Sequence, residues 1–345
     1  MINYVLTLIA PVLSLFWGGY GSSKRDDADD LFSKDYTTVL KGICCIFVVM
    51  VHIPAVYQNR LQDAIGSFAF VCVTLFFMVS SYGMQLSAEH KKNYIRHFWR
   101  NRLLALLVPC ILINIVVCIL FWLIRGYPSF SVLWSINNYV VVLLEYCFWF
   151  YVVMLLKRWF KIRKYWITDI LLIAGIVLSS LYSYLSSETG TESAAMGWCY
   201  ERYGLVWGIL MYRYLPYIKR WLISKRCLKV IAFSLLCCIL GIAYLKFKTV
   251  YFYGEYLLKV CLGLVIILWM LLLTVNRKFG NKVSLYLGNI SYEVYLLHGS
   301  VMTAISILAP DVSSGVFILS TYFVTVLLSM VISAAARKIV SRFRI

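Results

Sequence analysis

Residues 103–124, LLALLVPCILINIVVCILFWLI, decide the fold class because this whole stretch contains no charged side chain. A helix needs about 20 mostly apolar residues to cross the hydrocarbon core of a membrane. The rest of the 345-residue chain has the same character, with 62% hydrophobic and only 14% charged residues. Soluble domains average about 25% charged residues. The composition therefore excludes a soluble globular protein and indicates an integral membrane protein.

Further apolar stretches of this length occur along the whole chain. They lie at 3–20, 38–57, 67–88, 103–124, 139–156, 166–186, 199–216, 228–245, 256–275, 284–308 and 314–336. The sequence thus predicts an all-α fold, a polytopic membrane helix bundle of about eleven transmembrane helices. The first stretch lacks both a positively charged start and a small-residue cleavage site, so we interpret it as a retained helix.

The basic residues are distributed unevenly between the connecting segments. Lys and Arg outnumber Asp and Glu by 33 to 15, giving a net charge of +18, which in a soluble protein would suggest a nucleic-acid partner. Here 26 of the 33 fall in alternate segments, namely 21–37, 89–102, 157–165, 213–229, 276–283 and the carboxyl-terminal tail. The positive-inside rule makes these segments cytoplasmic. We therefore expect a multi-pass protein of the cell membrane with its amino terminus outside, its carboxyl terminus inside, and no nucleic-acid partner.

Lys41 and His52 are ionisable residues in the predicted second span. Their separation of eleven residues is about three helical turns, so both side chains should lie on one face. Lys41 could simply extend its charge to the membrane surface, and His52 could have a structural role. Ionisable groups persist in membranes mainly where they pair or line a cavity, and an imidazole is well suited to general-base catalysis at neutral pH. We predict that His52 is catalytic.

Two further groups of polar residues lie within predicted spans. Ser291, Tyr295 and His298 are spaced at i, i+4 and i+7, which predicts a polar stripe on one helix face. Such a stripe could serve hydrogen bonding between helices or form part of a site. Glu145 and Trp149 are similarly spaced at i and i+4. Since Glu145 has no basic neighbour on its own helix, its partner must come from elsewhere.

A basic group precedes the fourth span. Arg96, Arg100 and Arg102 follow Lys91 and Lys92 in one predicted cytoplasmic segment. These charges could serve membrane topology alone, or the guanidinium groups could bind a phosphorylated donor such as the nucleotide end of coenzyme A. The cysteines show no metal-ligand spacing, so no metal site is expected.

These motifs together resemble the acyltransferase-3 family of membrane acyltransferases. The stretch from Lys41 to His52 is similar to that family's first core helix, in which a basic residue precedes a catalytic histidine by eleven positions. Trp149-Phe150 resembles its Trp-Phe signature, and Ser291-Tyr292 with Tyr295-Leu296-Leu297-His298 resembles its late polar helix. The chain departs from the family pattern in having Lys41 for Arg, Thr38 for an acidic residue, and Arg96, Arg100 and Arg102 for an Arg-x-x-Arg loop.

The resemblance covers residues 38–336 and therefore implies a domain division. Residues 38–345 would form the membrane acyltransferase domain with ten helices. Residues 1–37 would add one amino-terminal transmembrane helix and an inner loop.

The resemblance also implies an activity, which is transfer of an acyl group, most often acetyl from acetyl-CoA, to a hydroxyl of a cell-surface glycan or related acceptor. His52 would act as the general base or as an acyl carrier, and Tyr295 or His298 would stabilise the oxyanion. No cofactor would be permanently bound, and acyl-CoA would be the donor substrate. The implied site comprises the catalytic residues His52, Lys41, His298, Tyr295 and Glu145, the donor-binding residues Arg96, Arg100, Arg102 and Lys41, and the substrate-binding residues Trp149 and Ser291.

An alternative class of function fits the same composition. A transporter or polymerase of polysaccharides or lipid-linked glycans, without acyl transfer, also has many spans and buried polar groups. Such proteins often show internal repeats or paired broken helices. The sequence shows neither feature, which favours the acyltransferase.

Overall fold

The computed structural model of the protein is almost entirely helical. It describes residues 12–13, 23–24, 30–57, 60–128, 130–188, 197–278 and 280–343. The helices are α1 (Lys34–Val51), α2 (Arg60–Gly66), α3 (Phe70–His90), α4 (Phe98–Arg125), α5 (Asn138–Trp159), α6 (Tyr165–Glu188), α7 (Tyr203–Ile223), α8 (Arg226–Phe247), α9 (Leu258–Thr274), α10 (Lys282–Asn289), α11 (Ser291–Leu308) and α12 (Ser314–Phe343). Two short strands, β1 (Ser23–Lys24) and β2 (Arg277–Lys278), pair in antiparallel fashion.

Seven helical segments of the described chain are long and apolar enough to cross a membrane. They are Arg60–His90, Phe98–Arg125, Phe130–Trp159, Tyr165–Ser187, Arg226–Phe247, Tyr253–Thr274 and Ser314–Phe343. Their outer faces carry exposed apolar side chains such as Leu123, Phe148 and Leu178. Helices that are apolar on their outer faces as well as their inner ones are typical of membrane spans. The protein is therefore an all-helical, multi-pass membrane protein.

Three predicted spans correspond to helices that are not among these seven. Helix α1 carries Lys34, Asp35 and Lys41, α7 has several basic residues, and α11 contains Glu293 and His298. All of the predicted helix at 3–20 except residues 12–13 lies outside the described residues. The count of eleven transmembrane helices stays a prediction.

The first of two boundary corrections concerns α1. The sequence predicted a span over 38–57, but the helix ends at Val51, and His52 is its C-cap residue. Pro54 follows closely, and the residue before a proline avoids the helical conformation for steric reasons. His52 therefore lies at the end of its helix and not within it.

The second correction concerns the predicted span 284–308, which consists of two helices. The break falls at Ile290, between α10 and α11, where the backbone adopts φ −105° and ψ 3°. The Ser291 hydroxyl donates a hydrogen bond to the Gly288 carbonyl at 2.8 Å and so stabilises the break.

Helix α10 packs against α1 with direct backbone contact. A Cβ atom on Gly42 would lie 2.7 Å from the backbone nitrogen of Gly288, and a Cβ atom on Gly288 would collide with the carbonyl of Thr38. Small residues of this kind allow close helix approach in membranes. The contact fixes α1, and with it Lys41 and His52, against the break that begins α11.

Helices α3 and α7 approach each other in a similar way. Gly204 and Gly208 are four residues apart on α7, and a Cβ atom on Gly208 would lie 2.8 Å from Cβ of Ser81. This small-xxx-small contact brings the start of α7 beside the start of α3. The main apolar core lies between these helices, α1 and α5, and includes the fully buried residues Val49, Phe77 and Phe150.

Candidate active site

Two histidines from different helices meet at one end of the bundle. His52 caps α1 and His298 lies on α11, and their ring centroids are 4.8 Å apart with an interplanar angle of 66°. The sequence predicted both residues as catalytic candidates without predicting their contact. The packing of α10 on α1 and the break at Ile290 together bring the two rings into contact.

The local hydrogen bonds determine which ring nitrogen of each histidine carries the proton. His52 Nδ1 lies 2.8 Å from the Val48 carbonyl oxygen, and His298 Nδ1 lies 3.2 Å from that of Val294. Because a carbonyl oxygen only accepts hydrogen bonds, each Nδ1 is the donor. In a neutral imidazole, Nε2 then has a free lone pair. His52 Nε2 is therefore able to accept a proton.

The two rings differ in their access to solvent. His52 is exposed and lines a cavity of about 270 Å³, whereas His298 is buried. This cavity, here called the His52 cavity, is also lined by residues from the start of α3 and from the turn before α7, among them Phe70, Trp198 and Glu201. His298 therefore lies behind His52, and His52 is the histidine that a substrate would meet.

Tyr295 and Ser291 continue the predicted polar stripe on α11. The Tyr295 ring centroid lies 6.0 Å from that of His298, and Tyr295 also packs against Tyr139 at 4.9 Å. Ser291 is buried, and its hydroxyl donates a hydrogen bond to the Gly288 carbonyl at the helix break. Tyr295 thus joins the histidine pair, while Ser291 has a structural hydrogen bond.

Lys41 is half-buried and takes part in a group of charges away from the His52 cavity. It interacts electrostatically with Glu293, which is also hydrogen-bonded to Ser333 and close to Arg337. The sequence did not single out Glu293 or Arg337. The sequence does contain a signal for Glu293, since it is an acidic residue inside a mostly apolar helix.

Glu145 has the external partner that the sequence predicted. Arg202 Nη1 lies 2.9 Å from both carboxylate oxygens of Glu145 and also donates to Ser179 Oγ at 2.6 Å. Trp149 donates from Nε1 to the Leu171 carbonyl at 3.1 Å. Glu145, Trp149 and Arg202 line a separate cavity of about 290 Å³, and none of them lines the His52 cavity.

A much larger basic cavity lies at the opposite end of the bundle. It has a volume of about 1080 Å³, and its basic lining residues are Lys91, Arg96, Lys157, Arg158, Lys161 and Arg163. Of the predicted donor-binding residues, Arg96 lines it and Arg100, Arg102 and Lys41 do not. Arg100 is exposed on α4, and Arg102 Nη2 donates to the Tyr94 hydroxyl at 3.4 Å. The sequence missed the contribution of 157–163 because it treated that segment only as a topology signal.

Comparison with known proteins supports the family assignment. No curated protein and no solved structure matches the chain. A family model described as an acyltransferase domain, that of the acyltransferase-3 family, matches residues 35–334. This range begins in α1 and ends in α12, and so includes both histidines and the lining residues of all three cavities. The protein therefore belongs to the acyltransferase-3 family of membrane acyltransferases.

Proposed function

We propose that this protein moves an acyl group, most simply acetyl, from acyl-CoA to a hydroxyl of a cell-surface glycan or a related acceptor. The observation that carries the proposal is the His52 imidazole, which faces a cavity with an available Nε2 and has its Nδ1 fixed by the Val48 carbonyl. A histidine in this arrangement can take the proton from an attacking hydroxyl. The family assignment supports the acyl transfer itself.

The proposed reaction begins when the acceptor hydroxyl gives its proton to His52 Nε2 and its oxygen attacks the thioester carbonyl carbon. The carbonyl electron pair moves to oxygen and forms a tetrahedral oxyanion. When the carbonyl re-forms, the carbon–sulfur bond breaks and the thiolate of coenzyme A takes the proton from the imidazolium. The products are an O-acyl ester and free thiol.

In this scheme Tyr295 stabilises the oxyanion. The only N–H group of neutral His298 already donates to the Val294 carbonyl, so His298 has no further proton to offer. Of the two residues predicted to stabilise the oxyanion, Tyr295 is the one whose hydroxyl can still donate. A donor aimed at the developing charge is a common source of transition-state stabilisation.

The donor is proposed to bind in the basic cavity at the other end of the bundle. Guanidinium groups form paired, charge-assisted hydrogen bonds with phosphates, and this cavity contains Arg96, Arg158 and Arg163. With the basic end in the cytoplasm, as the positive-inside rule predicts, the pantetheine arm would extend through the bundle toward His52. The acceptor would then enter from outside the cell membrane.

Release of free thiol from acetyl-CoA tests the proposal directly. Membrane vesicles containing the protein should release thiol in the presence of an acceptor hydroxyl, whereas vesicles without the protein should not. A transporter or polymerase would move glycans without consuming the thioester. Glycan movement without thiol release would therefore contradict the proposed function.

A further inference from the structure

Two polar side-chain atoms of residues that line the His52 cavity are buried and have no hydrogen-bond partner. They are Trp198 Nε1, which is a donor, and Glu201 Oε2, which is an acceptor. Both residues line the cavity together with His52. Since buried polar groups are nearly always hydrogen-bonded, an unpaired donor and an unpaired acceptor on one cavity indicate a ligand that pairs with both.

Glu201 is held close to the catalytic group. It is only 2% exposed and lies in the turn before α7, which the glycine contact with α3 brings beside the cavity. The carboxyl group is hydrogen-bonded to Tyr200 and interacts electrostatically with Lys259 and Tyr295, while its Oε2 atom has no hydrogen-bond partner. Tyr295 in turn contacts His298. Glu201 therefore lies in the cavity wall together with His52.

The remaining wall of the cavity includes three aromatic residues. The Phe70 ring packs edge-on against Tyr200 at 5.6 Å and against Tyr244 at 6.0 Å, and all three line the cavity. Such rings offer apolar surface to the C–H groups of a ligand. The cavity thus combines apolar and aromatic surface with the unpaired Trp198 donor, the unpaired Glu201 acceptor and the His52 base.

We propose that Trp198 and Glu201 bind a second hydroxyl of the acceptor, beside the hydroxyl that is acylated. A hydroxyl both donates and accepts, so it can donate to Glu201 Oε2 and accept from Trp198 Nε1 at the same time. The acceptor is then a polyhydroxylated ring, such as a sugar residue, whose C–H face packs on the aromatic wall. This inference rests on the proposed acyl transfer and makes Trp198 and Glu201 determinants of acceptor specificity.

Two single variants test the proposal in the full-length protein in vesicles. Glu201→Gln replaces one carboxyl oxygen with an amide NH2 group, which cannot accept a hydrogen bond, and Trp198→Phe removes the N–H donor while retaining an aromatic ring. With acetyl-CoA and methyl β-D-glucopyranoside as substrates, each variant should raise the KM for the sugar by about 10-fold. The kcat and the KM for acetyl-CoA should change by less than about 2-fold, an effect too small to represent a lost hydrogen bond.

The matched control is Glu255→Gln. The Glu255 carboxylate already accepts a hydrogen bond from the Tyr184 hydroxyl at 3.1 Å, and this residue does not line the His52 cavity. The variant should therefore leave the KM for the sugar unchanged. An equal rise in this control would assign the effect to general perturbation of the bundle and overturn the proposal.

A second acceptor separates hydroxyl recognition from acyl transfer. Cyclohexylmethanol offers a reacting hydroxyl on a ring but no second hydroxyl, so neither variant should change its KM. The proposal is wrong if the variants raise the KM for both acceptors equally or leave the KM for the sugar unchanged. It is also wrong if the wild type uses only cyclohexylmethanol. If the wild type releases no thiol with both acceptors tested, this result would contradict acyl transfer itself.

Discussion

The Nε2 atom of His52 is the single group on which the proposed chemistry depends. His52→Ala removes the base, and loss of a general base typically lowers the rate by about 10²- to 10⁴-fold. Because His52 is exposed at the end of α1, the variant should insert and unfold at nearly the wild-type temperature. Thiol release from acetyl-CoA by purified protein in vesicles measures the expected loss of kcat.

His90→Ala is the matched control for this prediction. His90 Nδ1 lies 3.0 Å from the carbonyl of Leu86, four residues earlier in its helix, which repeats the local bonding of His52. His90 is exposed and does not line the His52 cavity. The His90→Ala variant should therefore retain wild-type activity. Activity of His52→Ala within a few-fold of wild type would rule out His52 as the base.

The sequence could identify single site residues but not their neighbours in space. His52, His298 and Glu145 could be identified because a polar residue in an apolar helix is conspicuous. The partner of Glu145 could be inferred to exist, yet nothing local identified it as Arg202. Glu201 and Trp198 lie in a turn, where polar residues are ordinary, so only the packing of α7 on α3 reveals their burial.

At the level of elements, the contact between α1 and α10 is the feature most sensitive to side-chain size. Gly288→Ala places a methyl group against the backbone of Thr38. Overpacking of this kind typically costs about 1–3 kcal/mol, and the displacement should also move His298 away from His52. We expect a lower unfolding temperature and reduced kcat, measured by thermal unfolding in detergent and by thiol release.

Gly299→Ala is the control for this element. Gly299 lies on α11, and no heavy atom is within 4 Å of the position of an added Cβ. Alanine is favoured over glycine within helices by about 1 kcal/mol. Stability should therefore be unchanged or slightly higher. A wild-type unfolding temperature for Gly288→Ala would show that the two backbones do not pack this closely.

Most helices could be predicted from apolar stretches alone, but two helix ends could not. Hydropathy continues through Pro54 and through Ile290, because the flanking side chains remain apolar. The helix ends there for local reasons, namely the proline and the hydrogen bond from Ser291 to Gly288. Both exceptions lie at the candidate site, where the fold departs from continuous spans.

The donor site is also a property of particular elements, since the basic cavity joins the end of α3 to the end of α5. Replacing Arg96 and Arg158 with Gln should raise the KM for acetyl-CoA at least about 10-fold, because each lost charge-assisted hydrogen bond contributes about 1.5–3 kcal/mol. The dependence of KM on salt should fall as well. Steady-state kinetics at two ionic strengths measures both effects.

The control is a double variant at Arg100 and Arg102, which do not line the basic cavity. Replacing this pair with Gln should change the donor KM less, because Arg102 is directed to Tyr94 and Arg100 is exposed. A larger effect of this second pair would place the donor phosphates on α4. Unchanged KM in both double variants, with topology intact, would leave these basic residues as topology determinants only.

At the scale of the whole molecule, the His52 cavity and the basic cavity lie at opposite ends of α3. Phe70 lines the His52 cavity, and Ala88 lines the basic cavity. At a rise of about 1.5 Å per residue the separation along the helix is about 27 Å, close to the thickness of a hydrocarbon core, about 30 Å. Donor and acceptor would therefore bind on opposite sides of the membrane, and the acyl group would cross most of it before transfer.

The direction of this crossing depends on the orientation that the basic segments predict. Ser224 is exposed between α7 and α8 at the basic end, and Ser313 is exposed between α11 and α12 at the other end. In a variant whose exposed cysteines Cys227, Cys238 and Cys261 are replaced by serine, single cysteines are introduced at these positions. An impermeant maleimide applied to intact cells should label the cysteine at Ser313 directly and that at Ser224 only after permeabilisation. The reverse pattern would place the His52 cavity in the cytoplasm and make the acceptor an intracellular molecule. The assignment of His52 as the base would survive that result, because it depends only on the geometry of the cavity.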